Sequence, residues 1–261
     1  MCYNIKYIKQ RQLKAAERLG DESTMAIIRK EIEQKEEKNT SFSDEMHLVS
    51  GFSHSKAFIA VNNGQVKSIV SRWGLVPHWV KSPEQANEMA NRTLNARIET
   101  IFEKPSFRDA AKSQRGILFV DGFYEHYHSK SKKYPFHVYA KDKSMLALGV
   151  LYSDWVDTET GEVINTFSIV TTVGKGIMET IHNNPKMAEP RMPLMLRDEL
   201  AKKWINPSTS KDEIMDEMVI EASKIELDAH TVMALSGKKA VGNVAGASNK
   251  VDYPDLGMMF I

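Results

Sequence analysis

Only one cysteine, Cys2, occurs among the 261 residues, which excludes an internal disulfide and any zinc site built from several thiolates. No run of about 18 apolar residues is present, so no segment reads as a membrane span. The opening Met1-Cys2-Tyr3-Asn4-Ile5-Lys6 lacks an apolar signal core, and a cytoplasmic protein is expected. A strong charge of either sign is also missing. The formal net charge is +1, so any nucleic-acid contact must come from a local groove rather than a global field. Repeats and low-complexity linkers are absent, and one domain spanning 1–261 is expected.

Along the chain, residues 9–38 are rich in Lys, Arg, Glu and Gln, with Leu13, Ala16, Met25, Ile28 and Ile32 mostly three or four apart. This spacing predicts one or two amphipathic helices whose charges form a solvated face. With the polar stretch that follows, residues 9–46 read as a helical surface insertion. Ala57–Val61 and Gln65–Trp73 flank Asn62-Asn63-Gly64, a hairpin signal. Strands are predicted at 116–121, 135–140, 145–152 and 163–172. A polar helix or loop is predicted at 82–92, a short helix at 106–112, and helices at 197–205 and 211–221, the last with Ser210 as N-cap. Strands in succession with helices between and after them suggest an α+β domain around an antiparallel sheet or open barrel, with peripheral helices.

Five local features carry polar chemistry: Cys2; Asn95-Ala96-Arg97-Ile98-Glu99-Thr100; Asp121-Gly122-Phe123-Tyr124-Glu125; Ile181-His182 before Arg191-Met192-Pro193; and Val241-Gly242-Asn243-Val244. Each alone is weak. An Asn-x-Arg segment is more often a structural cluster than a site, and a strand-end Glu is usually solvated. With Trp73-Gly-Leu-Val-Pro-His-Trp79 and in this order, they make the chain resemble the SRAP family (SOS-response-associated peptidase) from Cys2 to about Asn243. Tyr3-Asn4 stand where that family usually has Gly-Arg, and eight residues, 183–190, separate His182 from Arg191, where the bacterial pattern has a much shorter gap.

The resemblance implies covalent crosslinking to abasic sites in single-stranded DNA during the DNA-damage response. Cys2 would carry the bond, Glu125 and His182 would assist catalysis, and Asn95, Arg97 and Arg191 would hold the DNA. Position 2 matters chemically. A small second residue favours removal of Met1, which leaves an α-amine beside a thiol. A model α-amine titrates near ~8, against ~10.4 for lysine, so more of it is neutral and nucleophilic at pH 7. It attacks the C1′ aldehyde of the opened sugar, and the thiol then closes a five-membered thiazolidine intramolecularly. Glu125 would shuttle protons and His182 would protonate the leaving hydroxyl or the opened sugar oxygen. Guanidinium forks at Arg97 and Arg191 match phosphate oxygens. Trp79 and Trp73 are candidates for stacking on bases, Trp73 being favoured for the core.

No cofactor and no metal are expected. His126 and His128 share a face of an extended segment, with no obvious third ligand. The expected partner is single-stranded DNA containing abasic sites, with the replication machinery as a further candidate, no membrane association, a monomeric state, and nucleoid association when DNA is bound. Abasic-site lyase and self-processing peptidase activities are companion expectations. The competing classes are an N-terminal-nucleophile cysteine amidohydrolase and a non-covalent single-strand binding module.

Overall fold

In the computed structural model, which describes residues 2–8, 11–22, 25, 26, 28–30, 46–222 and 224–256, the chain enters on a short strand, β1 (Asn4–Tyr7). Helix α1 (Gln12–Leu19) follows and stops at Gly20, whose φ of 73° places it in the left-handed region that ends helices. Helical backbone returns at 25, 26 and 28–30, while 31–45 lie outside the described residues. The described part of the predicted insertion is anchored. Gln12, Ala15, Ala16 and Leu19 are buried, and Gln12 donates to the carbonyl of Phe119 at 3.1 Å.

The hairpin read from Asn62-Asn63-Gly64 forms. After β2 (Met46–Ser50), strands β3 (Lys56–Asn62) and β4 (Val66–Trp73) pair antiparallel with Asn62 opposite Val66. Helix α2 (Pro83–Arg92) is capped by the Ser82 hydroxyl, which accepts from the backbone N–H of Gln85. It leads into β5 (Asn95–Arg97). Helix α3 (Arg108–Ser113) precedes β6 (Arg115–Val120), a fully buried strand, as its unbroken apolar run predicts. Strands β7 (Gly122–Ser129), β8 (Lys132–Ala140), β9 (Leu146–Val156) and β10 (Val163–Val173) complete the large pairings. Helix α4 (Ile177–Ile181), strands β11 (Arg191–Pro193) and β12 (Met195–Leu196), helix α5 (Asp198–Ile205), a helical stretch from Lys211 to Ala222 and strand β13 (Leu227–Thr231) follow. Ser210 caps that stretch in a capping box with Glu213.

The barrel is closed rather than open. Pairings run β10–β4, β4–β3, β3–β6, β6–β9 and back from β9 to β10. The closing pair β4–β10 is parallel (Phe167 opposite Trp73), an exception to the expected antiparallel order. A second sheet, ordered β13-β8-β7-β1-β2, leans on it. The chain crosses between them at Asp121. Its carboxylate accepts from Ile8 N at 2.9 Å and pairs with Arg11. Gly122 permits the crossing, since a Cβ there would sit 2.5 Å from His137 Nε2 and 2.6 Å from the carbonyl of Val138.

Below the barrel, Arg115 is buried with its guanidinium on helix-end carbonyls. It donates to Ala111, Lys112 and Trp204, each at 2.7 Å, and to Asn206. Cations favour that end of the helix dipole, although burial still lowers the guanidinium pKa to about 10.

Candidate active site

Strand register delivers Cys2 to the centre of the second sheet. β1 lies between β7 and β2, with Asn4 opposite Tyr124 and Ile5 opposite Phe123. Carried two residues back along that antiparallel register, Cys2 is level with His126, one position from Glu125. Cys2 is 1 % exposed. Burial, with the nearby Glu125 charge as second cause, pushes its thiol up to about 12. The thiol is therefore protonated at neutral pH.

Three other side chains converge there. Asn95, on β5, donates from Nδ2 to the Cys2 carbonyl at 2.8 Å, while its buried Oδ1 has no hydrogen-bond partner among the described residues. Glu125 turns one carboxylate oxygen to the backbone N–H of His126 at 2.9 Å. Its other oxygen faces His182 Nε2 at 3.5 Å. Burial raises the Glu125 pKa above the ordinary carboxylate range. His182 is 3 % exposed, and burial lowers its pKa to about 4, so at neutral pH the imidazole in this contact is neutral. The tautomer is set from behind. His182 Nδ1 accepts from the backbone N–H of Arg191 at 3.2 Å, which leaves the ring proton on Nε2, facing Glu125.

The long gap between His182 and Arg191 does not misplace the imidazole. His182 follows α4, with its N–H bonded to Met178 O at 3.1 Å. The next residue, Asn183, clasps β7 at two points. Its Oδ1 accepts from His128 N at 2.6 Å and its Nδ2 donates to His128 O at 2.8 Å. β7 also carries Glu125, so the clasp ties the imidazole to the strand of its partner. No motif marks Asn183 in the sequence; only its adjacency to His182 could have drawn attention to it.

The two arginines stand apart from this group and differ from one another. Both flank β10, where Arg97 lies opposite Thr171 and Arg191 opposite Val173. Arg97 is about half exposed and reaches Glu189. Arg191 is 1 % exposed, which corrects its expected role as an open phosphate fork. It grips Glu99 through two bonds of 2.8 and 2.9 Å, Glu189 at 3.0 Å and the Thr171 carbonyl at 2.8 Å. Burial opposes charge on Glu99, but hydrogen bonds and charge from Arg191 overcome that and hold its pKa below the usual range. Glu99 stands in the Asn95–Thr100 segment and Glu189 just before Arg191, but the sequence gives neither a role, because their pairing with the arginines is tertiary and joins segments 92 residues apart.

Trp73 also leaves the set of DNA-contact candidates. It is 1 % exposed, donates from Nε1 to the Leu94 carbonyl at 2.8 Å and stacks on Phe167 at 6.0 Å. Trp79 is 44 % exposed and free to meet a ligand. An aromatic pair unseen in the sequence adjoins Cys2: Tyr3 stacks on Phe52 at 5.3 Å, and Phe52 is exposed.

The family described as SOS response associated peptidase (SRAP) matches residues 1–243. The Bacillus subtilis protein named abasic site processing protein YoqW is 34 % identical over 165 residues, covering 63 % of this chain and 68 % of that one. Escherichia coli abasic site processing protein YedK is 28 % identical over 182 residues, covering 70 % and 72 %. A crystal structure of a Bacteroides thetaiotaomicron protein superposes with a TM-score of 0.75 at 30 % identity, covering 96 % of this chain and all of that one. This chain belongs to the SRAP family.

Proposed function

We propose that this protein processes abasic sites in single-stranded DNA by bonding to them covalently through Cys2. The observation that carries the reading is the meeting of Cys2 with Glu125, His182 and Asn95, drawn from four separate stretches of the chain. The names of the relatives YoqW and YedK favour the same substrate.

Chemistry follows from the protonation states. Removal of Met1 frees the α-amine of Cys2. The amine adds to the C1′ aldehyde, and the carbinolamine loses water to give an imine. Glu125, raised toward neutrality by burial, takes the nitrogen proton and delivers it to the departing hydroxyl. His182 donates its Nε2 proton as a hydrogen bond and keeps the carboxylate oriented. A thiol held neutral cannot attack first, so sulfur adds after the imine forms. The S–H proton passes through Glu125 to the imine nitrogen as the C–S bond closes. The balance is aldehyde plus aminothiol giving thiazolidine plus one water.

The test is incubation with single-stranded DNA carrying one abasic site, followed by intact mass measurement. The expected product is a heat-stable adduct weighing protein without Met1 plus DNA minus one water. Methoxyamine, which masks the aldehyde, prevents it. Cys2→Ala leaves an imine that cannot close, so strand scission by β-elimination replaces the stable adduct. A normal adduct in Cys2→Ala would exclude the sulfur step. Release of ammonia from glutamine by the wild type would favour the amidohydrolase instead.

A further inference from the structure

Arg97 is an exposed cation on the strand that supplies Asn95 to the group around Cys2. Arg97 lies two residues beyond Asn95 on β5, so both side chains leave the same face of the strand. Asn95 already holds the Cys2 carbonyl. A phosphate flanking a sugar at Cys2 would therefore be met by Arg97. That guanidinium is occupied. Glu189 Oε1 accepts from Arg97 Nη2 and from Arg191 Nη1 at once. Arg191 is balanced from the other side by its two bonds to Glu99. The four charges cancel, two arginines against two glutamates.

We propose that Glu189 is an internal counterion for Arg97, displaced by a DNA phosphate when a strand binds, and that it thereby sets the affinity and salt dependence of binding. The two acids are not equivalent. Glu99 is fixed by a bidentate contact to a buried arginine, the stronger geometry. Glu189 meets Arg97 where both are more than a third exposed, and such pairs are worth at most about 1 kcal/mol, so a phosphate can exchange for it at Arg97 while its 3.0 Å bond to buried Arg191 keeps the carboxylate in place; Glu99 stands farther from Arg97, at 3.9 Å. Glu189 comes from the stretch 183–190, which also supplies the Asn183 clasp. One segment thus aligns the imidazole and neutralises the rim. The exchange also changes ion release. Binding a phosphate normally liberates the counterions condensed on it, and a single strand gives a slope of about −0.7 per neutralised charge in log K against log salt. If a carboxylate must leave Arg97 and collect solution cations, that release is offset.

The inference rests on the single-strand reading above, and its test separates the two. Binding of a fluorescent, intact single strand without a lesion is followed by anisotropy across a salt series for wild type, Glu189→Gln, Arg97→Gln and the double variant. Glu189→Gln keeps the side-chain size and an acceptor oxygen. It is expected to bind roughly fivefold tighter at low salt, with a slope steeper by about 0.7, so that its advantage shrinks as salt rises. In the Arg97→Gln background the same substitution should alter neither affinity nor slope. Glu189→Gln with unchanged slope, or with weaker binding at a wild-type melting temperature, overturns the counterion assignment. Failure of the wild type both to bind the intact strand and to form the adduct overturns the underlying reading.

Discussion

Glu125 and His182 stand 3.5 Å apart without forming an ion pair at neutral pH, because burial drives both toward their uncharged forms. The same burial sets the thiol of Cys2, with the Glu125 charge as the second cause of its rise to about 12. Removing that charge should therefore lower the thiol pKa while leaving it elevated. Since Cys2 is the only cysteine, alkylation by iodoacetamide reports on it alone. Glu125→Gln is expected to raise the alkylation rate at pH 9 severalfold, each unit of pKa being worth about tenfold in thiolate. A rate equal to wild type would show that the carboxylate does not act on the thiol, and would remove it from the proton path. Cys2, Asn95, Glu125 and His182 were legible in the sequence because amino acids with special chemistry recur there in a known order. The fate of Arg191 was not. An arginine in a motif reads as a phosphate fork, and only the fold shows it buried against Glu99.

At the scale of elements, β7 decides the site, and it is the element least visible in the sequence. Apolar periodicity ends at Asp121, and Glu125-His126-Tyr127-His128 alternates no apolar face, so the strand lacks the signal that reveals β6 and β10. β1, β11 and β13 were missed for a related reason. At three to five residues each they are too short for a pattern, and their pairing is tertiary. The hairpin β3–β4 was legible because turn chemistry and strand propensity agree locally. Closure of the barrel by the parallel pair β4–β10 was not, since Trp73 and Phe167 come together only when everything between them has folded. The Asn183 clasp tests whether α4 must be tied to β7. Asn183→Ala removes two bonds to His128, each worth about 1 kcal/mol, so the urea midpoint should fall modestly. Adduct formation should slow by an order of magnitude or more, because the imidazole loses its hold near Glu125. A stability loss with an unchanged rate of adduct formation would confine the clasp to a structural role.

Across the whole molecule, two buried histidines and one half-buried histidine make stability depend on acid. Burial lowers His126 and His182 to about 4 and His137 to about 3, all from an ordinary value near ~6.5. A histidine whose folded pKa is depressed stays neutral in the native state. Unfolded, it takes a proton as pH falls below ~6.5. The unfolded chain then binds more protons, so stability declines with falling pH from there until the folded values near 4 and 3 are reached, and the histidines' contribution is flat above about pH 7. Each such group contributes up to about 1.4 kcal/mol per pH unit within that window. Asp121 and Glu125, raised by burial, act in the opposite sense. Their folded forms take protons first, which offsets part of the decline as pH falls through their raised values. His137 has the longest window, and the fold gives it no compensation. Neither ring nitrogen has a hydrogen-bond partner among the described residues, and the ring is packed between Tyr124 and Tyr139 at 5.0 and 5.2 Å. An aromatic without nitrogens suits that place. His137→Phe is therefore expected to flatten the fall in unfolding free energy between pH 6.5 and 5 by about 1 kcal/mol per unit, measured by urea titration at each pH. The slope, unlike the absolute stability, is insensitive to how well the larger ring packs against Gly122. An unaltered slope in this variant would mean that His137 exchanges protons freely in the native state, and that the sheet joining β7 to β8 opens to water.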